Sequence, residues 1–315
     1  MRGARPVKNG GDAMKRCYRS ALLILCIVLL LAGPASANSA LVFQTDFGLK
    51  DGAVSAMKGV AFGVDRTLPM FDLTHEIPAY SIWEGAYRLH QTMEFWPAGT
   101  VFVSVIDPGV GTERGSVVAL TRDGRYVVTP DNGTLTFIAE TVGLEAVRTI
   151  DDTRHRLPGS EESYTFFGRD LYAYTGAKLA SGAITFEEVG PLLEGDVLTI
   201  PYRRAEVKDG AVFGNIPVLD VQYGNIWSNI PKRLFDQLEP RIGDRFEVAI
   251  FREDEKVFGG TIPYVNTFGD VPDGEPLIYF NSLMNLSLAL NMDNFAGTHG
   301  IESGPEWSIS VRPAE

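Results

Sequence analysis

The stretch Val101–Arg114 passes from an apolar, β-branched run into a polar turn with two glycines, and few folds accommodate such a change. Its first half, Val-Phe-Val-Ser-Val-Ile, is typical of a strand buried on both faces of a sheet. The strand ends at Asp107, where the following proline and glycine turn the backbone. Open α/β sheets bind ligands at the carboxyl ends of their strands, so we expect Asp107 and Arg114 at a ligand site. A structural role fits equally, with Asp107 capping the turn and Arg114 as a surface charge.

The first 37 residues have the three parts of a secretory signal sequence and are excluded from the predicted fold. Basic residues precede the apolar run Ala21–Gly33, and an Ala-x-Ala sequence follows at residues 35–37. The run has 13 residues, too few to span a bilayer comfortably, which favours cleavage after Ala37 over an N-terminal membrane anchor. We therefore expect a secreted or periplasmic protein with no membrane contact after cleavage.

Cysteine content and charge restrict the ligands of the remaining chain. Cys17 and Cys26 both lie within the signal, so no thiol, disulfide or cysteine metal site is expected beyond it. Removing residues 1–37 takes away six basic residues and one acidic residue and changes the net charge from −12 to −17. This charge argues against nucleic acid or anionic lipid as a partner and suits a cationic small ligand. The four histidines show no metal-like spacing, so we predict no metal and no cofactor.

Strand and helix patterns alternate after the signal, as in Leu41–Gly48 followed by the helical pattern Ala53–Val64. This alternation predicts an α/β domain with a largely parallel sheet. Later in the chain, short strands such as Val212–Val221, separated by Gly and Asn turns, predict a smaller all-β domain, a barrel or a sandwich. The predicted boundaries are residues 1–37 for the signal peptide, 38–200 for the α/β domain and 201–315 for the β-barrel domain.

Acidic residues at predicted strand ends are the most distinctive chemical feature of the chain. They are Asp46, Asp51, Asp107, Asp131 and Asp220. Paired carboxylates hold ribose hydroxyls or face a cationic ligand, although each of these acids suits a turn equally well. The residues alone therefore indicate an exported α/β-plus-β protein with an acidic ligand cleft.

Five segments occur in an order and spacing that cover nearly all of the chain after the signal. They are Thr45–Asp51 with Met57–Gly59, Asp107–Arg114, Pro130–Gly133, Thr165–Asp170 and Tyr223–Ile230. Together they resemble the S-adenosylmethionine hydroxide adenosyltransferase family, which includes the adenosyl-halide synthases fluorinase and chlorinase. One such motif is a weak signal, whereas five in order are a strong one.

The resemblance implies an N-terminal α/β nucleoside-binding domain joined to a C-terminal β-barrel. It also implies a homotrimer in which each active site lies between the first domain of one subunit and the second domain of its neighbour. In the first domain, Asp46 resembles the acid that grips the ribose diol, and Tyr80 lies near the adenine-stacking position. Asp51 and Asp220 match acids on the methionine side, where they would hold its ammonium group.

The resemblance assigns the other substrate-binding roles to the second domain. Asn225 and the backbone near Asn291 and Met292 match the adenine-reading groups, and Tyr223 matches an aromatic wall. Ser282 falls at the methionine end. The next residue is a leucine, where the fluorinase has an arginine.

The implied reaction is hydrolysis of S-adenosyl-L-methionine, or a related adenosine derivative, by in-line attack of water at the ribose C5′. Asp107 and Arg114 match the first two members of the Asp-Arg-His set that surrounds the attacking water. The third position is Phe167, so the base nearest neutral pKa is missing. This departure leaves two readings, a slow hydrolase or an exported adenosyl-ligand-binding protein without turnover. A halide adenosyltransferase is less favoured because Asp107 places a negative charge beside the halide. His155 is a weak candidate for replacing the missing histidine.

Overall fold

A six-stranded sheet organises the N-terminal half of the computed structural model, which describes residues 39–314 together with residues 1 and 3. Its strands are β1 (Leu41–Thr45), β2 (Met70–Thr74), β3 (Val101–Val105), β4 (Ser116–Thr121), β5 (Tyr126–Pro130) and β6 (Leu144–Thr149). They lie in the order β2-β1-β3-β5-β4-β6; the pairs β2/β1, β1/β3 and β3/β5 are parallel, and β5/β4 and β4/β6 are antiparallel. The predicted α/β domain with a largely parallel sheet is therefore confirmed. Apart from residues 1 and 3, the predicted signal sequence lies outside the described residues.

Helices cover both faces of this sheet because its central strands are apolar on both sides. They are α1 (Ala53–Val64), α2 (Ile82–Met93), α3 (Thr136–Thr141), α4 (Asp152–His155), a π-helix (Gly168–Ala173), α5 (Tyr174–Ala180) and a 3₁₀ turn (Glu187–Val189). On β1, Leu41 and Phe43 pack with α1, the π-helix and α5, whereas Val42 packs with α2 and α3 on the opposite face. Among the described residues, no helix is long and apolar enough to cross a membrane.

Two antiparallel sheets form the C-terminal region. Their strands are β7 (Glu206–Lys208), β8 (Ala211–Ile216), β9 (Val218–Asp220), β10 (Asn225–Pro231), β11 (Arg245–Arg252), β12 (Glu255–Pro263), β13 (Pro276–Phe280), β14 (Asn285–Leu290) and β15 (Gly304–Pro313). The five-stranded sheet has the order β12-β11-β15-β8-β7, and the four-stranded sheet has the order β13-β14-β10-β9. Both sheets contribute to one apolar core, which contains Val248 from the first and Leu288 from the second. The predicted all-β fold class is confirmed, while the exact domain boundaries stay a prediction.

Short helices complete this region, as expected from its lack of long amphipathic patterns. They are α6 (Lys232–Phe235), α7 (Phe295–His299) and 3₁₀ turns at Asp236–Leu238 and Phe268–Asp270. The stretch predicted as one strand, Val212–Val221, is broken into β8 and β9 at Pro217, which has no N–H to donate to a sheet ladder.

Helix α2 anchors the two regions to each other. Its N-terminus is capped by Ser81, whose side chain accepts a hydrogen bond from the backbone N–H of Glu84. From the same helix, the Nε1 of Trp83 donates to the carbonyl of Pro217 at 2.8 Å, and the Nη2 of Arg88 donates to the carbonyl of Leu219 at 2.8 Å. Pro217 directly precedes β9, and Leu219 belongs to it. These two hydrogen bonds therefore fix the position of the strand that ends at the predicted site residue Asp220.

Candidate active site

Asp107 and Arg114 form an ion pair on the loop that follows β3. Both Nη atoms of Arg114 donate to the carboxylate of Asp107, which also accepts a hydrogen bond from the N–H of Gly109 at 3.1 Å. The side chains are only 4% and 14% exposed, so the alternative of Arg114 as a surface charge is wrong. Asp107 does cap the turn, as the structural reading expected, while also binding the arginine. At Gly111, φ is +77° and an added Cβ would lie 2.7 Å from the carbonyl oxygen of Tyr164, so the loop requires glycine there.

Tyr172 lies beside this ion pair and was not predicted. Tyr172 belongs to the π-helix, and its side chain is fully buried. Its hydroxyl is 2.8 Å from the hydroxyl of Ser116. Burial, together with the negative charge of Asp107, raises the pKa of Tyr172 to about 12. The phenol therefore stays neutral and available as a hydrogen-bond donor at physiological pH.

A second part of the site lies at the carboxyl end of β1. The N–H of Tyr80 donates to Asp46 Oδ2 at 2.8 Å, which joins two predicted site residues across 34 residues of sequence. Tyr80 is exposed and has φ of 69°, an uncommon left-handed conformation for a residue other than glycine. Asp51 is exposed, and its Oδ1 accepts from the N–H of Ala53, the first residue of α1.

A hydrogen-bonded series of side chains, buried at Thr45 and His75 and exposed at Asp72, lies next to these loops, and sequence reasoning assigned it no role. The Nδ1 of His75 lies 2.8 Å from the hydroxyl of Thr45, and its Nε2 lies 3.0 Å from Asp72 Oδ1. The Nζ of Lys58 completes the series at 2.6 Å from Asp72 Oδ2. Burial of Asp72 acts against ionisation, but the hydrogen bonds from Lys58 and His75 outweigh it and lower the pKa of the carboxyl group. His75 is thus a core residue, as expected for a lone histidine. The predicted site residue nearest to it in sequence is Tyr80.

The predicted residues of the C-terminal region line a cavity of about 640 Å³. They are Asp220, Tyr223, Asn225, Ser282, Asn291 and Met292. Three aromatic residues that were not predicted, Trp227, Phe268 and Tyr279, add flat walls suited to a planar base. Met292 is exposed at the rim with φ of 58°, a second left-handed residue in the predicted site.

Hydrogen bonds hold the polar wall of this cavity. Asn225 Nδ2 lies 3.4 Å from Asp220 Oδ2, and Asn291 Nδ2 donates to the carbonyl of Val271 at 2.8 Å. Burial raises the pKa of Tyr279 to about 12, and the charge of Asp220 acts in the same direction. Tyr279 is therefore neutral, and the carboxyl groups that line the cavity are those of Asp220 and Asp293.

Within one chain the predicted site residues fall into two groups. Among the described residues, those that line the 640 Å³ cavity all fall between positions 220 and 294. The remaining predicted residues, which are Asp46, Asp51, Tyr80, Asp107, Arg114 and Phe167, all belong to the α/β region and are not among those lining it.

Phe167 and Arg114 line a separate cavity of about 240 Å³. His155 does not take the place of the missing histidine, because both of its ring nitrogens are engaged elsewhere. Its Nε2 donates to the carbonyl of Glu188 at 2.8 Å, and its Nδ1 accepts from Lys178 Nζ at 2.9 Å. Among residues 39–314, no group of three or more His, Cys, Asp or Glu side chains is placed to hold a metal ion.

Comparison with known proteins agrees with this geometry. The N-terminal domain of the SAM hydroxide adenosyltransferases matches residues 41–190, and the C-terminal domain of the same family matches residues 214–308. The (R)-S-adenosyl-L-methionine hydrolase of Salinispora tropica is 32% identical over 85% of this chain and 97% of its own length. A fluorinase from an Actinoplanes species is 28% identical over 86% of this chain and 97% of its own length.

A solved structure supports the fold. The crystal structure of an uncharacterized conserved protein from Thermotoga maritima is 30% identical, with a TM-score of 0.79 over 86% of this chain and 99% of that one. Two consecutive domain matches in the expected order, and a relative above 30% identity over most of both chains, agree with the five motifs. The chain belongs to the SAM hydroxide adenosyltransferase family.

Proposed function

We propose that the protein hydrolyses S-adenosyl-L-methionine to adenosine and L-methionine. The observation that carries the proposal is the buried Asp107–Arg114 pair at the carboxyl end of β3, where open α/β sheets bind ligands. The similarity to relatives named (R)-S-adenosyl-L-methionine hydrolase supports the same chemistry.

In the proposed reaction, a water oxygen attacks C5′ of the ribose in line with the sulfonium group. The C5′–S bond breaks, its electron pair stays on sulfur, and methionine leaves as a neutral thioether. One water proton is released by way of the Asp107 carboxylate, and the oxygen becomes the 5′-hydroxyl of adenosine. Because the sulfonium is already a good leaving group, no general acid is required. The protein contributes positioning and partial removal of bulk water.

The contacts of Asp107 leave room for this role. Oδ1 accepts from Gly109 N–H and from one Nη of Arg114, and Oδ2 accepts from the other Nη. A carboxylate has about four acceptor positions, so one on Oδ2 remains for a water molecule. Arg114 fixes the carboxylate so that this position points in a single direction.

Substrate binding in the proposal uses both groups of residues. Asp46 holds the ribose hydroxyls, Tyr80 and Tyr223 pack on the adenine, and Asp220 faces the methionine ammonium. Since the two groups lie in separate parts of one chain, a homotrimer supplies each site with the α/β half of one subunit and the β half of its neighbour.

The test is chromatography and mass spectrometry of the protein lacking residues 1–37, incubated with S-adenosyl-L-methionine in ¹⁸O-labelled water. Adenosine carrying one ¹⁸O atom is expected. Asp107→Ala and Arg114→Ala are each expected to abolish turnover while adenosine binding persists. Glu113→Ala, an exposed acid on the same loop, is the matched control and is expected to retain activity. Unchanged turnover in both site variants contradicts the proposal.

The second candidate function is an adenosyl-ligand-binding protein without turnover. Phe167 favours it, because this residue removes the family base from the water site. Measurable adenosine binding with no product after long incubation would select this function. A 5′-halo-5′-deoxyadenosine product that appears only with chloride would instead select the halide transfer chemistry.

Export is also part of the proposal. The basic, apolar and Ala-x-Ala segments of residues 1–37 support cleavage after Ala37. N-terminal sequencing of protein recovered from the periplasm or medium is expected to begin at Asn38. Retention of the intact chain in the cytoplasm contradicts export.

A further inference from the structure

We propose that Arg156 is a second cationic residue of the water site and occupies the role left open by Phe167. The inference rests on the proposed function, which it deepens by identifying how this chain holds the attacking water as a hydroxide-like anion. Arg156 and Arg114 both line the cavity of about 240 Å³, together with the hydroxyl-bearing residues Thr112 and Ser116.

The guanidinium of Arg156 is held in place from several sides. Its Cζ lies 4.6 Å from the ring centroid of Phe167 and 5.5 Å from that of Tyr164, both within cation–π range. Its Nη1 donates to the carbonyl of Ser163 at 3.1 Å, and its Nη2 donates to Asp152 Oδ2 at 3.2 Å. The side chain is only 7% exposed. A charged group fixed in this way is suited to stabilise charge without reorganising.

The acidic partners of the two arginines that line the cavity differ in burial. Arg114 is neutralised by Asp107, which is buried beside it, whereas the partner of Arg156 is Asp152, a side chain that is 55% exposed and screened by water. The Nε of Arg114 is also buried and meets no acceptor at hydrogen-bonding geometry. A buried donor without an acceptor costs free energy, so this side of Arg114 is not stabilised by protein contacts.

Phe167 and Arg156 are chemically matched. The negative face of the phenyl ring attracts a guanidinium, whereas a protonated histidine at position 167 would face Arg156 with a like charge. The exchange of histidine for phenylalanine therefore removes a base and at the same time provides a surface that holds a permanent cation. That cation favours ionisation of the attacking water, and the proton leaves by way of Asp107 to solvent.

The first test is the pH dependence of hydrolysis. Arg156→Met keeps an apolar side chain against the rings and is expected to lower kcat about a hundredfold. It is also expected to move the rising limb of the kcat–pH curve about one pH unit upward, since an opposite charge no longer favours hydroxide. The other charged or titratable groups near Arg156 are Asp152, Glu161, Tyr164 and Arg114, together with Asp107 and Tyr172 beside Arg114.

Two further variants distinguish the effect of a positive charge at position 156 from the general effect of removing one positive charge from the protein. Arg156→Lys keeps the charge and is expected to retain the wild-type pH limb with a loss of kcat no greater than about tenfold. Arg154→Met removes the same charge from an exposed position two residues away and is expected to change neither quantity. An unshifted limb in Arg156→Met, or an equal shift in Arg154→Met, overturns the inference.

An experiment independent of turnover uses bromide as a monoanionic probe that is detectable by anomalous scattering. Crystals of the protein lacking residues 1–37, soaked in bromide, are expected to give an anomalous peak between Arg114 and Arg156 that disappears in Arg156→Met. If no hydrolysis is found but this peak appears and is lost in the variant, the proposed function fails and the anion site stands. If hydrolysis is found and the peak is absent, or persists in Arg156→Met, the anion site fails and the proposed function stands.

Discussion

His75 connects the residues beneath the proposed ribose site, with Thr45 on one side and Asp72 on the other. His75→Leu removes one hydrogen bond from the buried Thr45 hydroxyl and one from Asp72, so we expect the free energy of unfolding to fall by about 1–3 kcal/mol. The KM for S-adenosyl-L-methionine should rise while kcat changes little. The reason is that the hydrogen bond from His75 holds Thr45, which directly precedes Asp46, and does not contact the proposed water site. Urea unfolding and steady-state kinetics check both expectations.

The matched control is His90→Leu. His90 is also buried in part, but its only polar side-chain contact among the described residues is a 3.3 Å approach to the hydroxyl of Thr141. A rise in KM equal to that of His75→Leu would show that the effect is not specific to the loops that carry Asp46 and Tyr80.

His155 makes the protein sensitive to mild acid. Burial lowers the pKa of His155, and the neighbouring cations Lys178 and Arg154 lower it further. The unfolded chain, with a histidine pKa near about 6.5, therefore binds a proton at a pH where the folded protein does not. The stability that His155 contributes is present above about pH 6.5 and is lost as the pH falls through its folded-state pKa.

His155→Gln keeps one donor for the carbonyl of Glu188 and one acceptor for Lys178 but does not titrate. Between pH 7 and 5, the loss of unfolding free energy is expected to be shallower than in wild type, by up to about 1.4 kcal/mol per pH unit for one proton. Urea unfolding at several pH values measures the slope. Equal slopes in the two proteins contradict the assignment.

At the residue scale, sequence identified the groups that are fixed by motifs and missed those that are fixed by packing. Asp107 and Arg114 lie seven residues apart on one loop, so their pairing is a local property that a sequence pattern can carry. Arg156, directly after α4, lines the cavity beside Arg114, and Tyr172 on the π-helix lies next to the Asp107–Arg114 pair; only the tertiary fold brings them there. Nothing in their sequence context distinguishes them from other arginines and buried tyrosines.

Helix α5 lies flat on the sheet at Gly176, where an added Cβ would be 2.5 Å from Val103 Cγ2. Gly176→Ala is therefore expected to lower the free energy of unfolding by about 1–3 kcal/mol through overpacking, despite the better helix propensity of alanine. Gly63→Ala in α1 is the control, because nothing lies within 4 Å of its added Cβ. That substitution is expected to stabilise the protein by up to about 1 kcal/mol. Thermal or urea unfolding checks the opposite signs, and the same sign for both would contradict the packing argument.

At the element scale, periodicity predicted the helices well and the edge strands poorly. The bounds of α1, Ala53–Val64, agree with the prediction because its apolar residues repeat at helical spacing. Strand β6, at the edge of its sheet, was missed because its residues are mostly half-buried and show no clear alternation. The π-helix before α5 is not predictable in this way, since its extra residue per turn leaves no mark in the sequence.

At the scale of the whole molecule, the separation of the two groups of site residues leads to a complementation experiment. If each site combines two chains, Asp107→Ala and Asn225→Ala are each inactive alone but regain activity when mixed subunits assemble. In every trimer that contains both variants, one site in three has both intact halves, so the mixed assembly should regain about a third of the wild-type activity. Coexpression with two affinity tags and assay of the doubly purified assembly measures this recovery. No recovery in a confirmed mixed trimer contradicts a site shared between subunits.

The left-handed backbones of Tyr80 and Met292 affect how this protein responds to engineering. Each conformation costs on the order of 1 kcal/mol for a residue with a Cβ, and glycine or asparagine would relieve that cost. A campaign that selects for heat resistance alone would therefore enrich substitutions at these two positions. The more stable variants would lack two side chains of the proposed nucleoside site, so a thermal screen needs a ligand-binding assay beside it to retain activity.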